Sequence, residues 1–483
     1  MNHQEREELE RWIDIITQKA TDFGLDCYPT HFEVVPDHVI YELGSYSLPA
    51  RFSHWTFGRD FHRQKTSYDY GMSKIYEIVF NSDPCQAFLV ESASMLSHKF
   101  VVAHVLGHND FFKNNQYFEH TDRGMIETVR LHGNRIRQYE EEFGFLVVEE
   151  FIDSVLAIEY NFDVTLTAPY KREEPVATEA PKKIYAPRTE YDDIWNIMQP
   201  ERKPLPPKGV KFPESPEKDL LGFLRDYAPD LKRWQRDILS MIREEMIYFI
   251  PQMRTKTINE GWASFWHERI LNELELSPEE HLEFRRLHSS VLSPGSKMSL
   301  NPYYVGYNLF RDIEKRWNGD DDADFPEDNW LGESVKRPVG EGMKKIFEVR
   351  KEDNDLSFQI KYLTQIMIKR LDMYSYAQEE VDGEKAWVVQ DTDWRKVRDT
   401  LLDSMTNFGL PLIFVEDGDF NHRGELLLKH SYDGKSLDIE YVERTLSYLC
   451  KIWGRPVHLD SFLETLEVRH THNGEYCEMC KLS

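Results

Sequence analysis

The chain has 483 residues, of which 40% are apolar and 13% aromatic, enough to fill the cores of about two or three domains. Its 85 acidic and 59 basic residues give a net charge of −26, which disfavours binding to nucleic acid or to an anionic membrane surface. The N-terminal residues are charged where a signal peptide has an apolar core, and no segment approaches the ~20 apolar residues of a membrane span. These features predict a globular cytosolic protein.

Helical periodicity dominates the beginning of the chain. Apolar residues such as Leu9, Trp12 and Ile16 recur at intervals of three and four, which predicts an amphipathic helix in the first twenty residues. Further helices are predicted at 85–112, 125–138 and 147–159. Together these segments predict that residues 1–166 form the first part of a helical domain.

Two segments of unusual composition divide the rest of the chain. Residues 167–216 are rich in Pro, Lys and Glu and predict a Pro-rich linker or insertion. Helical periodicity returns in residues 217–318, with a break at Pro251, and predicts the second part of the helical domain. The acidic, turn-rich residues 319–329 predict a linker between domains.

The C-terminal part alternates between strand and helix patterns. Strands are predicted at 387–390, 411–415, 426–430 and 456–459, and helices at 394–407 and 439–453. This βαββαβ order suits a small ferredoxin-like sheet in a domain at 330–468, followed by a Cys/His tail at 469–483. The predicted fold class is therefore α+β, with a mainly helical N-terminal domain, a Pro-rich insertion and a smaller α+β domain.

Two histidines in the predicted helix at 85–112 have the spacing of metal ligands. His104 and His108 are four residues apart, which places both imidazoles on one face of a helix, about one turn from each other. Gly107 lies on the same face, where a missing side chain lets another backbone or a ligand approach. The pattern predicts a divalent metal site, with zinc as the favoured ion.

A glutamate and a histidine recur at a spacing of seven residues in two places. Glu91 precedes His98, and Glu260 precedes His267. Seven residues at ~100° each bring a helix back to within ~20° of its starting direction, so each pair would share one face. Because unpaired charge is costly in apolar helices, these groups would satisfy one another or share a cation.

A structural role is the alternative for these residues. A buried helix can hold a histidine that is hydrogen-bonded to a carboxylate for stability alone, and two histidines four residues apart also arise by chance. If the site is functional, we expect Glu91, His98 and His267 to orient ligands or to move protons.

The combination of His-x-x-x-His with a later Asn-Glu-Gly-Trp-Ala resembles the gluzincin metallopeptidases. In those enzymes two helical histidines and a glutamate from a second helix hold zinc, which implies His104, His108 and Glu260 as metal ligands here. Val105 stands where those peptidases have the glutamate that serves as general base. Hydrolysis would then need another base, for which Glu91 and His98 are the nearest candidates.

The tail holds four further residues of metal-ligating type. They are His470, His472, Cys477 and Cys480. A Cys-x-x-Cys pair near two histidines is typical of zinc sites and predicts a second metal site, whereas the alternative is a disordered tail with reduced thiols. Because the tail has few apolar residues, we expect the chain beyond Val468 to be dispensable for folding.

Four segments carry a broader resemblance. They are residues 51–89, AHVLGHNDFFKNN at 103–115, TINEGWASFWHERI at 257–270 and NPYYVGYNLFRDIEKRW at 301–317. In these segments the chain resembles the SpoVR family, stage V sporulation protein R, and the resemblance extends over most of residues 5–460. It implies a role in forming the spore cortex, a peptidoglycan layer, from the cytosol of the mother cell, and relatives that accompany a PrkA-type serine protein kinase.

Two functions remain open from the sequence. The first is a metal-dependent enzyme, a hydrolase or amide-bond enzyme that acts on a cell-wall-related or protein substrate. The second is a non-enzymatic regulator or adaptor that recruits other cortex-assembly proteins and keeps a structural His/Glu cluster. Val105 favours the second function, and the number of convergent ionisable residues favours the first.

Overall fold

The chain divides into two compact units. The computed structural model describes residues 1–69, 77–167, 212–295, 300–320, 339–381 and 384–482. The first unit comprises Met1–Arg137 and Tyr248–Leu410, and the second comprises Gln138–Ile247 and Pro411–Ser483. Most of the predicted Pro-rich segment 167–216 and of the predicted acidic linker 319–329 lies outside the described residues.

Helices outnumber strands along the described residues. In chain order the helices are α1 (His3–Asp22), α2 (Asp37–Tyr46), α3 (Trp55–Asp69), α4 (Met95–Asn114), α5 (Met125–Phe143), α6 (Phe145–Leu156), α7 (Leu220–Tyr227), α8 (Arg233–Arg254), α9 (Lys256–Asn272), α10 (Pro278–Val291), α11 (Pro302–Asn318), α12 (Gly342–Glu352), α13 (Asp355–Tyr362), α14 (Gln365–Arg370), α15 (Trp394–Met405) and α16 (Ile439–Trp453). The strands are β1 (Thr30–Val35), β2 (Glu77–Phe80), β3 (Cys85–Val90), β4 (Ser375–Val381), β5 (Glu384–Asp391), β6 (Ile413–Phe420), β7 (Glu425–His430), β8 (Val457–Leu463), β9 (Leu466–His472) and β10 (Cys477–Lys481).

The prediction of one helix across 85–112 is wrong in its first part. Cys85–Val90 forms strand β3, which pairs in parallel with β1 and in antiparallel with β2. Helix α4 begins only at Met95, where the Ser94 side chain accepts a hydrogen bond from the backbone N–H of Ser97 and caps the helix. A short apolar run that is buried has the same pattern in a strand as in a helix, so periodicity could not separate the two.

Helices α4 and α9 cross in the core of the first unit, and both are buried along most of their length. A Cβ atom added to Gly107 would lie 2.7 Å from the Cα of Ala263, so the two backbones meet at this point. A second close crossing joins α9 to α11, where a Cβ on Gly306 would lie 2.1 Å from the Thr257 carbonyl oxygen. Glycine is required at both crossings because no side chain fits between the helices.

The first unit also contains residues that the sequence analysis assigned to a C-terminal domain beginning at 330. Helix α13 begins at Asp355, whose carboxylate accepts hydrogen bonds from the backbone N–H groups of Thr257 and Ile258 at 2.9 and 2.8 Å. Arg350 donates two hydrogen bonds to the buried Asp110 on α4, at 2.8 and 2.9 Å. These polar contacts join Arg350 and Asp355 to the helices of the first unit, which extends to Leu410, and helical periodicity does not predict them.

The second unit contains a five-stranded sheet with the order β10-β9-β8-β7-β6. Strands β7 and β8 are parallel and are joined through α16, whereas the other neighbours are antiparallel. The predicted α+β class is confirmed, but this strand order is not the ferredoxin-like one. The first predicted strand and helix of that motif, β5 and α15, lie in the first unit, and β9 and β10 extend the sheet instead.

The predicted second metal site in the tail is not formed. His470 and His472 lie on β9, and Cys477 lies opposite His472 on β10, whereas Cys480 lies opposite Arg469. Side chains alternate between the faces of a strand, so two cysteines three residues apart point in opposite directions. Cys480 therefore lies on the face of the sheet opposite to that of both histidines.

Truncation after Val468 is expected to destabilise the second unit, contrary to the expectation from composition. The deletion removes β10 and more than half of β9, including the buried His470 and His472, and leaves β8 without most of its antiparallel neighbour. We expect a thermal unfolding transition lowered by ~10 °C or more and faster proteolysis of the second unit. Removal of only Leu482 and Ser483 is the control, and an unchanged midpoint after the longer truncation would contradict the integration of the tail.

Candidate metal centre

The crossing of α4 and α9 brings His104, His108 and Glu260 together. The Oε2 atom of Glu260 lies 3.5 Å from Nε2 of His104 and 3.3 Å from Nε2 of His108. One ligand atom from each of the three residues lies within 4.8 Å of the others. Within the residues that the structure describes, no second group of three His, Cys, Asp or Glu ligand atoms is so close.

Two atoms of this cluster are buried without a hydrogen-bond partner. They are Nε2 of His104 and Oε2 of Glu260, as judged among the described residues. Leaving such atoms unsatisfied costs about 1–3 kcal/mol each. A cation between them would satisfy both, and two imidazoles with one carboxylate form a donor set that suits zinc and also iron or manganese. The residues present therefore fit a divalent metal ion.

Neighbouring side chains orient both imidazoles. Nδ1 of His108 lies 2.9 Å from Oδ1 of Asn259, an acceptor, so His108 carries a proton on Nδ1 and turns its Nε2 towards Glu260. Nδ1 of His104 lies 2.9 Å from Nδ1 of His267, which leaves the Nε2 of His104 for the cluster as well. The Phe112 ring stacks on the imidazole of His108 at a centroid distance of 6.1 Å and helps to shield it from water.

The Glu260 carboxylate and the His108 imidazole each stabilise the charged form of the other. Burial alone would raise the pKa of Glu260, but the imidazoles of His108 and His104 outweigh it and hold that pKa well below its usual range. For His108, burial lowers the pKa, and the negative charge of Glu260 more than offsets this, so the pKa is raised. Glu260 is therefore ionised at neutral pH and presents a full negative charge to any ion bound between the two histidines.

Glu77 and Tyr303 also face the cluster. Burial raises the pKa of Glu77, while the nearby His104 and His108 lower it and Glu260 raises it further. The Tyr303 ring stacks on the imidazole of His104 at a centroid distance of 5.9 Å. Burial, and then the charges of Glu260 and Glu77, raise the pKa of Tyr303, so its hydroxyl stays protonated.

Sequence reasoning missed Glu77 because it lies on strand β2, which no helical spacing relates to His104 and His108. The signal that could have found it is a glutamate at the start of the apolar strand Glu77–Phe80. The sequence indicates Tyr303 as a site residue only weakly, because it is one of several tyrosines on a helix, a pattern that core packing also explains.

Two of the three predicted proton-transfer residues do not reach the cluster. Glu91 precedes α4, has a side chain 40% exposed and pairs with the amino group of Met1 at 2.7 Å. His98 is buried on α4, and burial and the positive N-terminus lower its pKa to about 4. His98 is six residues before His104, which places it ~120° around the helix from that ligand. Only His267 contacts a candidate ligand.

Two family models match adjoining ranges of the chain. A family model described as "SpoVR like protein" matches residues 3–410, and one described as "SpoVR-like C-terminal domain" matches residues 411–464. The boundary between the two ranges coincides with the point after Leu410 at which the chain passes from the first unit to the second, although the first range also includes Gln138–Ile247 of the second unit.

The chain has a curated relative in Escherichia coli. The chain is similar to the uncharacterized protein YcgB of Escherichia coli (strain K12), with 32% identity over 349 residues that cover 67% of this chain and 68% of the relative. No solved structure matches the chain. Among the described residues, none of the helices has both the length and the apolar character needed to cross a membrane.

Proposed function

Because this chain belongs to the SpoVR-like protein family, we propose that it is a metal-dependent enzyme of hydrolase type that acts in spore cortex formation. The observation that supports metal-dependent chemistry is the buried group of His104, His108 and Glu260, with two ligand atoms that lack hydrogen-bond partners. A divalent ion held there would polarise a substrate carbonyl and an attacking water. The family name supports the sporulation process, and the site supports the chemical class.

Glu77 is the proposed proton acceptor of the reaction. The gluzincin base position is occupied by Val105, a buried apolar residue that contributes nothing to proton transfer. Glu77 lies on strand β2, which packs against α4, and its charge interacts with those of His104 and His108. Tyr303 keeps its proton and would donate a hydrogen bond to a developing negative charge on the substrate oxygen.

Glu77→Gln tests the catalytic role apart from metal binding. We expect the variant to keep its metal, because the three proposed ligands are unchanged, and to lose about 100-fold or more of its activity. Its contribution to the cortex is measured by complementation of a spore-former that lacks its own copy, with cortex peptidoglycan as the readout. Glu33→Gln on β1 is the matched control, and full complementation by Glu77→Gln would remove Glu77 from the mechanism.

A non-catalytic regulator of cortex assembly is the second candidate function. It is favoured by Val105, because the chain lacks the base that gluzincins carry at this position. The two functions give different results in the same experiment. If cortex formation depends on Glu260 but not on Glu77, the metal site is structural and the protein acts as an adaptor for other cortex proteins.

The proposed cellular setting is the one that the SpoVR family implies. We place the protein in the cytosol of the mother cell, with cortex-assembly proteins and a PrkA-type serine protein kinase as partners. The net charge of −26 and the lack of a membrane-crossing helix among the described residues support a setting away from nucleic acid and lipid.

A further inference from the structure

A chain of three buried histidines leads away from the candidate metal centre. Nδ1 of His104 lies 2.9 Å from Nδ1 of His267, and Nε2 of His267 lies 2.9 Å from Nδ1 of His288. Nε2 of His288 in turn lies 3.8 Å from the Oε1 atom of Glu268. The row of three histidines thus has the Glu260 carboxylate at one end and the Glu268 carboxylate at the other.

Each link of this chain needs one nitrogen that carries a proton and one that accepts it. If His104 binds an ion through Nε2, its proton lies on Nδ1 and is donated to His267. His267 then donates from Nε2 to Nδ1 of His288, whose own proton lies on Nε2, the nitrogen 3.8 Å from Oε1 of Glu268. In the opposite arrangement a lone pair of His288 would face a negative carboxylate, which is unfavourable.

Glu268 is held firmly at its end of the chain. The Tyr307 hydroxyl donates a hydrogen bond to its Oε2 atom, and Arg285 donates one to its Oε1 atom at 3.2 Å. These two contacts fix the Oε1 atom of Glu268 on the Nε2 side of His288.

We infer that His288 and Glu268 are positioning residues that hold His104 with its proton on Nδ1 and its Nε2 free to bind a metal ion. This inference rests on the proposed function, because it assigns a role to residues outside the cluster through the ion that the cluster would hold. Metal-ligating histidines usually donate their second N–H to a carboxylate or carbonyl. Here the carboxylate acts through two intervening imidazoles. Because Nε2 of His104 would bind the ion, the row of histidines orients this ligand and carries no proton to or from the ion.

The test measures the affinity of the full-length, metal-stripped chain for Zn²⁺ by competition with a chelating indicator. We expect His288→Leu to weaken the affinity by about 10–100-fold, because His267 loses its acceptor and His104 loses its fixed tautomer. His288→Asn is expected to restore most of the affinity, since its amide oxygen lies near the position of Nδ1. The Co²⁺ absorption spectrum of each variant reports whether the ligand geometry has changed, which a loss of general stability would not do.

His281→Leu is the matched control, because His281 lies on the same helix α10 but is exposed. It is expected to bind Zn²⁺ as tightly as the unaltered chain. Equal affinity in His288→Leu and the unaltered chain would overturn the inference and leave the metal site in place. A chain that binds none of Zn²⁺, Mn²⁺ or Fe²⁺ before any substitution would overturn both the inference and the proposed function.

Discussion

Glu260→Gln is expected to reduce the metal content of the purified, untagged chain from about one ion per molecule to near zero. The substitution keeps the size of the side chain but replaces an ionised carboxylate with a neutral amide, which is a much weaker ligand for zinc, iron or manganese. The lost charge also lies 3.3 and 3.5 Å from the two imidazole nitrogens that would share the ion. Elemental analysis of both proteins gives the result directly.

Glu91→Gln is the matched control for this substitution. Glu91 undergoes the same chemical change, but it is partly exposed and pairs with the amino group of Met1 away from the cluster. We expect it to retain the metal content of the unaltered chain.

A different outcome would point to a structural cluster. If neither protein contains metal and Glu260→Gln unfolds more easily by about 3–5 kcal/mol, then Glu260, His104 and His108 form a buried polar network. Removing one partner from such a network leaves the others buried and unpaired. The two readouts, metal content and free energy of unfolding, therefore separate a metal centre from a stability device.

Helical spacing in the sequence defines which side chains share a face, and the gluzincin resemblance joined Glu260 to His104 and His108 in one candidate site. His104 and His108 lie on α4 and Glu260 and His267 on α9, and the close approach of Gly107 to Ala263 joins the two helices. No local sequence pattern indicates which distant strand packs against this pair of helices. Glu77 approaches from β2 and Tyr303 from α11, so their places depend on tertiary packing.

The errors in the predicted fold have the same physical origin. The apolar residues of β3 and the polar residues of β10 have patterns that do not distinguish a strand from a helix or from a tail. Both strands are specified by their neighbours, β1 and β2 in one case and β9 in the other. The extent of the first unit to Leu410 depends on contacts such as Asp355 with the start of α9, which join residues about 100 positions apart.

Gly306→Ala is expected to destabilise the first unit by about 3 kcal/mol, although it adds only a methyl group. The new Cβ would lie 2.1 Å from the Thr257 carbonyl oxygen, well inside van der Waals contact. Both atoms belong to the helix crossing, so no side-chain rotation relieves the clash and α9 and α11 must separate. Urea denaturation of the variant and the unaltered chain measures the change in the free energy of unfolding.

Gly58→Ala is the matched control, because it makes the same substitution within helix α3 at a position with no atom within 4 Å of the new Cβ. There the change should be neutral or should stabilise by up to ~1 kcal/mol, since alanine favours helix more than glycine does. Tyr303 lies one turn before Gly306 on α11 and stacks on His104, so separating the helices would also disturb the candidate metal centre. Equal stability of the two variants would show that α9 and α11 do not approach as closely as the structure places them.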